Sequence, residues 1–133
     1  MLKINQIRFV LYGQPITKKN SQQIVRLGNR SAIVPSKAYK AYKALVAPQV
    51  MALHLPQIES PVHAQYTYYL AQRRPTDQSN LIEATDDILV ELGVLADDNC
   101  LIVHSHDGTR VRYDKENPRV EITLTQSVEP QPW

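Results

Sequence analysis

The sequence predicts an α/β fold, a single domain in which a mixed sheet of about four or five strands carries two main helices. Two kinds of apolar spacing lead to it. Apolar and polar residues alternate, as in half-buried strands, at Lys3–Tyr12, Val62–Gln72 and Val120–Thr125. Between these runs, from Pro35 to about Leu53 and from Asp77 to Gly93, apolar residues recur at helical spacing. Size is the third observation: 133 residues suffice for one domain with a real core and are too few for two ordinary ones. The domain is expected over 1–125, and 126–133, with two prolines, is expected to be a flexible tail.

In the first strand Ile4, Ile7, Phe9 and Leu11 supply apolar positions, and Gly13 ends it. The polar, basic loop Gln14–Ser21 follows, in which Lys18, Lys19 and Asn20 are candidates for phosphate contacts. Gln23–Arg26 and Ser31–Val34 flank Leu27-Gly28-Asn29-Arg30, a hairpin turn. Ser36 is a good N-cap for the first helix, where Tyr39, Tyr42, Leu45 and Val46 share a face. Lys37, Lys40 and Lys43 lie beside that face, more often a solvated stripe than a phosphate-binding one. Leu55–Pro61 links elements rather than domains.

The next strand turns Val62, Ala64, Tyr66, Tyr68 and Leu70 one way and delivers Arg73 and Arg74 to the start of the second helix. Those arginines could neutralise the neighbouring carboxylates structurally or clamp a phosphate bidentately. In the second helix Leu81, Ile82, Thr85, Ile88, Leu89 and Leu92 form the packing face, and Asn80, Glu83, Asp87 and Glu91 form a stripe expected to look outward. Asp77 or Ser79 serves as N-cap and Gly93 stops the helix. After the polar turn Ala96–Asn99, Cys100–His106 is expected to be a strand with Cys100 buried. His104 and His106 share a face with Cys100, but no fourth ligand completes a zinc site, so they read as ordinary sheet-surface residues. Arg110–Arg119, with Arg112 and Lys115, is a basic loop and a further candidate DNA contact.

The chemistry concentrates at the second helix. Between Pro75 and Thr109 stand eight carboxylates (Asp77, Glu83, Asp86, Asp87, Glu91, Asp97, Asp98, Asp107) and no Lys or Arg. Exposed helical glutamates usually alternate with lysines, and that pairing is missing. Either the rest of the fold brings cations to these acids or a metal does, and oxygen-only donors suit Mg²⁺ or Mn²⁺ rather than zinc. By contrast, residues 1–58 hold nine Lys or Arg and no acid. A nuclease needs cations for the phosphate backbone and carboxylates for a metal, although the two halves could simply neutralise each other.

The totals exclude other classes. The single cysteine rules out an internal disulfide and any multi-cysteine zinc knuckle. No Gly-rich phosphate loop or Ser/His/Asp constellation occurs. Neither a membrane-spanning run nor a signal peptide is present, and a cytoplasmic protein is expected.

Asp77-x-x-Asn80, Asp87-x-Leu89, Gly93-Val94 and Asp97-Asp98, in that order, resemble the central motif of the RusA-type Holliday junction resolvases, small Mg²⁺-dependent endonucleases common in phages and prophages. The Pro- and Lys-containing loop at 14–21 and the Pro35-Ser36-x-x-Tyr39 start of the first helix are similar too. The resemblance implies a RusA-like fold, a homodimer, branched DNA as partner and a role in DNA recombination and repair. It implies catalytic roles for Asp77, Glu83, Asp87 and Asp98, a Mg²⁺ (or Mn²⁺) site drawn from Asp77, Glu83, Asp97 and Asp98, and DNA contacts from Lys18, Lys19, Asn20, Arg73 and Arg74. Two positions depart from the pattern: Ser79 stands where relatives often have a second aspartate, and Glu83 where they have a lysine. Glu83 could replace the ligand lost at Ser79. The same departures motivate an alternative, a branched-DNA-binding module of this fold without cleavage.

Overall fold

The computed structural model describes residues 5–17, 22–35 and 37–133, so Lys18, Lys19, Asn20 and the expected N-cap Ser36 lie outside the described residues. Its elements run β1 (Gln6–Tyr12), β2 (Gln22–Leu27), β3 (Arg30–Pro35), α1 (Lys37–Met51), β4 (Val62–Leu70), α2 (Gln78–Glu91), β5 (Val103–Ser105), β6 (Arg110–Tyr113) and β7 (Arg119–Gln126). The α/β class, the mixed sheet and the two helices are as the sequence predicts.

Alternation decides the centre of the sheet. Every second residue of β4, from Val62 through Ala64, Tyr66 and Tyr68 to Leu70, is buried. Their antiparallel partners on β7 (Leu124, Ile122, Val120) and, one strand further, Phe9 and Leu11 of β1 are buried on the same side. The order is β1-β7-β4, with β5 and β6 both parallel to β4 along its remaining edge. Tyr66, Tyr68, Leu81, Ile88 and Leu89 join one core, so the helices cover one face of the sheet. The other face, carrying Arg8, Gln65, Thr67 and Thr123, has no helix over it among the described residues. β2 and β3 form a separate two-stranded hairpin, as predicted from the Gly28-Asn29 turn.

Two expectations are corrected. Cys100 is exposed, in a turn, because Asn99 captures the following amides: its side-chain oxygen accepts from Leu101 N–H at 2.9 Å, and its carbonyl accepts from Ile102 at 3.0 Å and Val103 at 2.9 Å. The strand therefore starts only at Val103. Arg110–Tyr113 is a strand rather than a loop, held by parallel pairing to Thr67–Leu70. Of the face shared by Tyr39, Tyr42, Leu45 and Val46, Tyr39 and Val46 are buried while Leu45 is 51% exposed; it lies over Gly13, where a Cβ would come within 2.6 Å of Leu45 Cδ2.

Gly93 ends α2 with φ of +78°, donating to Val90 O at 3.0 Å. A Cβ there would meet nothing within 4 Å, so Gly93→Ala tests backbone conformation alone. It is expected to cost about 1 kcal/mol in denaturant unfolding, and a change under about 0.3 kcal/mol would contradict the left-handed cap.

Candidate active site

Asp86 occupies the middle of α2 on its buried side and is 6% exposed. The Tyr66 hydroxyl donates to its Oδ1 at 2.6 Å, and His106 Nε2 reaches Oδ1 at 3.0 Å and Oδ2 at 2.9 Å. Next to this bond, Tyr68 Oη and Thr85 Oγ1 lie 2.7 Å apart, so two core tyrosines fasten β4 to α2. Burial first, then the Asp86 charge, pushes the Tyr66 hydroxyl well above its ordinary pKa. It stays protonated and can serve Asp86 as a donor. His106 is thus no ordinary surface residue, and the stripe expected to face outward holds a buried member, Asn80.

Asp98 follows α2 on the turn that carries Asp97. Its amide donates to Asp97 Oδ1 at 2.7 Å. Although the residue is exposed, loss of hydration raises the pKa of its carboxyl, and the nearby charges of Asp87, then Asp86, raise it further, with a hydrogen bond to the Asp97 side chain adding to them. Asp98 therefore lies within electrostatic reach of Asp87 and Asp86 and in hydrogen-bonding contact with Asp97. Glu83 is exposed one helical turn before Asp87. Glu91 leaves this group: Lys43 of α1 pairs with it at 2.9 Å, and the Tyr39 hydroxyl donates to it at 3.3 Å. At Glu91 the fold does supply the missing cation, from one of the three lysines of α1.

Asp77 is elsewhere. It is the N-cap of α2, without a side-chain capping bond, and Asn80 Nδ2 donates to its Oδ2 at 3.4 Å. Nine residues of helix, about 13 Å of rise, separate it from Asp86, and its side-chain hydrogen bond given among the described residues is to Asn80. It lines a cleft with Gln14, Thr17, Thr76 and Arg74. Arg74 is exposed there, and Arg73 stacks over the Tyr113 ring at 4.7 Å. Neither arginine is engaged by a carboxylate among the described residues, so both remain available to an anion. The structure thus brings Asp87, Asp97 and Asp98 together, with Glu83 on the next turn, and sets Asp77, Arg73 and Arg74 at the opposite end of α2.

The donors around Asp98 are carboxylate oxygens, which suit a hard cation, and their repulsion is what such a cation would relieve. Among the described residues no three Asp, Glu, His or Cys side chains stand close enough together to ligate one ion. Mg²⁺ typically takes only one or two carboxylates, filling its octahedron with water and substrate phosphate, so Asp98 with Asp87 or Asp97 fits that demand.

Sequence reasoning missed Asp86 and its partners Tyr66 and His106. The available signal was spacing: Asp86 lies four residues after Ile82 and three before Leu89, at the edge of the apolar face. Among the described residues, no helix is long and apolar enough to cross a membrane. No curated protein matches the chain. A family model described as Endodeoxyribonuclease RusA matches residues 13–125. That span begins just after β1 and takes in the cleft at Asp77, the whole of α2, the acids at Asp97 and Asp98 and most of β7, and the chain belongs to the RusA endodeoxyribonuclease family.

Proposed function

We propose that the protein is a Mg²⁺-dependent, structure-selective endonuclease that resolves Holliday junctions or related branched DNA by phosphodiester hydrolysis, acting as a homodimer in recombination and repair. The observation that carries the reading is the setting of Asp98 in a chain of a nuclease family: an accessible carboxyl hydrogen-bonded to the Asp97 side chain, with loss of hydration and then the charges of Asp87 and Asp86 disfavouring its ionised form. Asp98 with Asp87 or Asp97 would hold the ion, which supplies charge stabilisation at the scissile phosphate and a more acidic bound water.

The chain's own residues do the rest. Asp86, fixed by Tyr66 and His106, keeps Asp87 and the α2 backbone in place on the sheet. Arg73 and Arg74, with Lys18 and Lys19, would hold the DNA backbone, Arg74 across the cleft from Asp77. A dimer suits the substrate, since symmetric cleavage of a four-way junction uses two sites related by a two-fold axis.

The test is a labelled synthetic four-way junction incubated with the protein, with and without Mg²⁺. Nicking that requires the metal supports the reading. Junction binding without metal-stimulated nicking supports the alternative, a DNA-binding module, which the substitutions at Ser79 and Glu83 favour. In the same assay Glu83→Gln is expected to weaken Mg²⁺-dependent cleavage by roughly tenfold. Unchanged cleavage and metal dependence would remove Glu83 from the site, and Asp77→Asn asks the same of the acid at the far end of α2.

A further inference from the structure

The face of the sheet turned away from both helices is polar and cationic, and the nuclease chemistry makes no use of it. Strand register places Arg8 of β1 opposite Thr123 of β7, which in turn faces Gln65 of β4. On the far edge, Arg110 and Arg112 of β6 sit opposite Thr67 and Tyr69. Cross-strand partners share a face, so all three arginines project from this side. Each is exposed, and no carboxylate among the described residues pairs with any of them. Arg119, on the same face, lies 3.8 Å over the Tyr69 ring and absorbs the nearby acids, Glu121 at 3.0 Å and Asp114 at 2.9 Å. Both acids are thus held by Arg119, whose single charge offsets one of the two, and the three remaining arginines have no carboxylate partner among the described residues.

The surface between them is concave. Arg8, Val10, Gln65, Thr67, Thr123 and Glu121, the last held by Arg119, are among the residues that line a depression of about 450 Å³. From β1 to β6 is three strand spacings, about 14 Å, comparable to the roughly 12 Å width of the DNA major groove. Arg8 can therefore meet a phosphate on one side of a groove while Arg110 and Arg112 meet phosphates on the other, with Gln and Thr side chains between them as neutral donors.

We propose that this open sheet face binds the phosphate backbone of a DNA duplex arm, on the side of the sheet opposite the acids of α2. The inference rests on the nuclease reading and deepens it: one protomer grips DNA on both sides of its sheet, as a branched substrate with diverging arms allows and a single straight duplex does not.

The test is the salt dependence of equilibrium binding to a synthetic four-way junction, in EDTA so that nothing is cut. It compares the wild type with the triple variants Arg8→Gln/Arg110→Gln/Arg112→Gln and Arg8→Lys/Arg110→Lys/Arg112→Lys. The Gln variant is expected to bind roughly tenfold or more weakly, with a plot of log affinity against log salt shallower by about 0.9 for each arginine lost. The Lys variant, which keeps the charge, is expected to keep the wild-type slope. A Gln variant that binds with wild-type affinity and slope overturns the inference while leaving the nuclease reading intact. So does one whose sedimentation shows a changed oligomeric state at unchanged DNA affinity, which would make the face a contact between copies. A wild type with no affinity for the junction overturns both.

Discussion

Asp98→Asn is expected to lower the rate of junction cleavage by at least about 10²-fold, while junction binding is kept or tightened. The side chains are almost isosteric, so the change removes charge and metal affinity rather than shape. Binding should not suffer, because a carboxylate near a phosphate backbone repels it in the absence of a cation. Stability should move the opposite way from activity. The Asp98 carboxyl is held above its ordinary value of 3.8 by partial burial and by Asp87 and Asp86. A carboxylate raised in the folded state costs stability above its folded pKa, and that cost disappears as pH falls through the folded value towards 3.8. Asp98→Asn should therefore melt slightly above the wild type at neutral pH, with the gap closing in acid. The gain is small because the residue is exposed and solvent screens it. Mg²⁺ should raise the melting point of the wild type more than that of the variant. A variant that cleaves at the wild-type rate, or melts well below it, contradicts this account of Asp98.

Asp86→Ala is expected to have the largest effect on the fold, a loss of about 3 kcal/mol, or roughly 10 °C in melting temperature for a chain of this size. The loss comes mainly from what the mutation strands. Tyr66 has no exposed surface, so its hydroxyl would lose its acceptor at 2.6 Å with no water to replace it. His106, partly open to solvent, loses less. Tyr66→Phe should cost only about 1–2 kcal/mol, since Asp86 keeps His106. In the double variant the stranded hydroxyl is gone, so the combined cost should fall short of the sum by about 1 kcal/mol. Strict additivity, or an Asp86→Ala cost below about 1 kcal/mol, would mean that the Tyr66–Asp86–His106 link does not fasten α2 to the sheet.

What the sequence made legible follows from which interactions are local. The β4 strand was readable because its alternation is strict and its outcome is burial of the same residues, Val62 through Leu70. The body of α2 and its stop at Gly93 were readable for the same reason. The strand β6 was not: three of its four residues are exposed and two are basic, and its pairing partner on β4 lies more than forty residues earlier. Cys100–Val103 looked like a strand by composition, yet Asn99 offers the backbone a competing set of local hydrogen bonds. The Asp86 link was hidden because its two partners lie twenty residues away on either side, Tyr66 on β4 and His106 just beyond the end of β5. The acids around Asp98 were readable as a cluster, but the separation of Asp77 from them was not, because a motif records order along the chain and not position along a helix axis.

The central claim is that the acids gathered beside the second half of α2 hold the ion that cutting requires. Its most direct test is a single-turnover reaction: protein and four-way junction are assembled in EDTA, cleavage is started by adding Mg²⁺, and the wild type is compared with Asp98→Asn. The account predicts that the wild type cuts only after the metal is added and that the Asp98→Asn complex stays intact over the same interval. Cutting before the metal arrives, or equal rates for the two proteins, would contradict it.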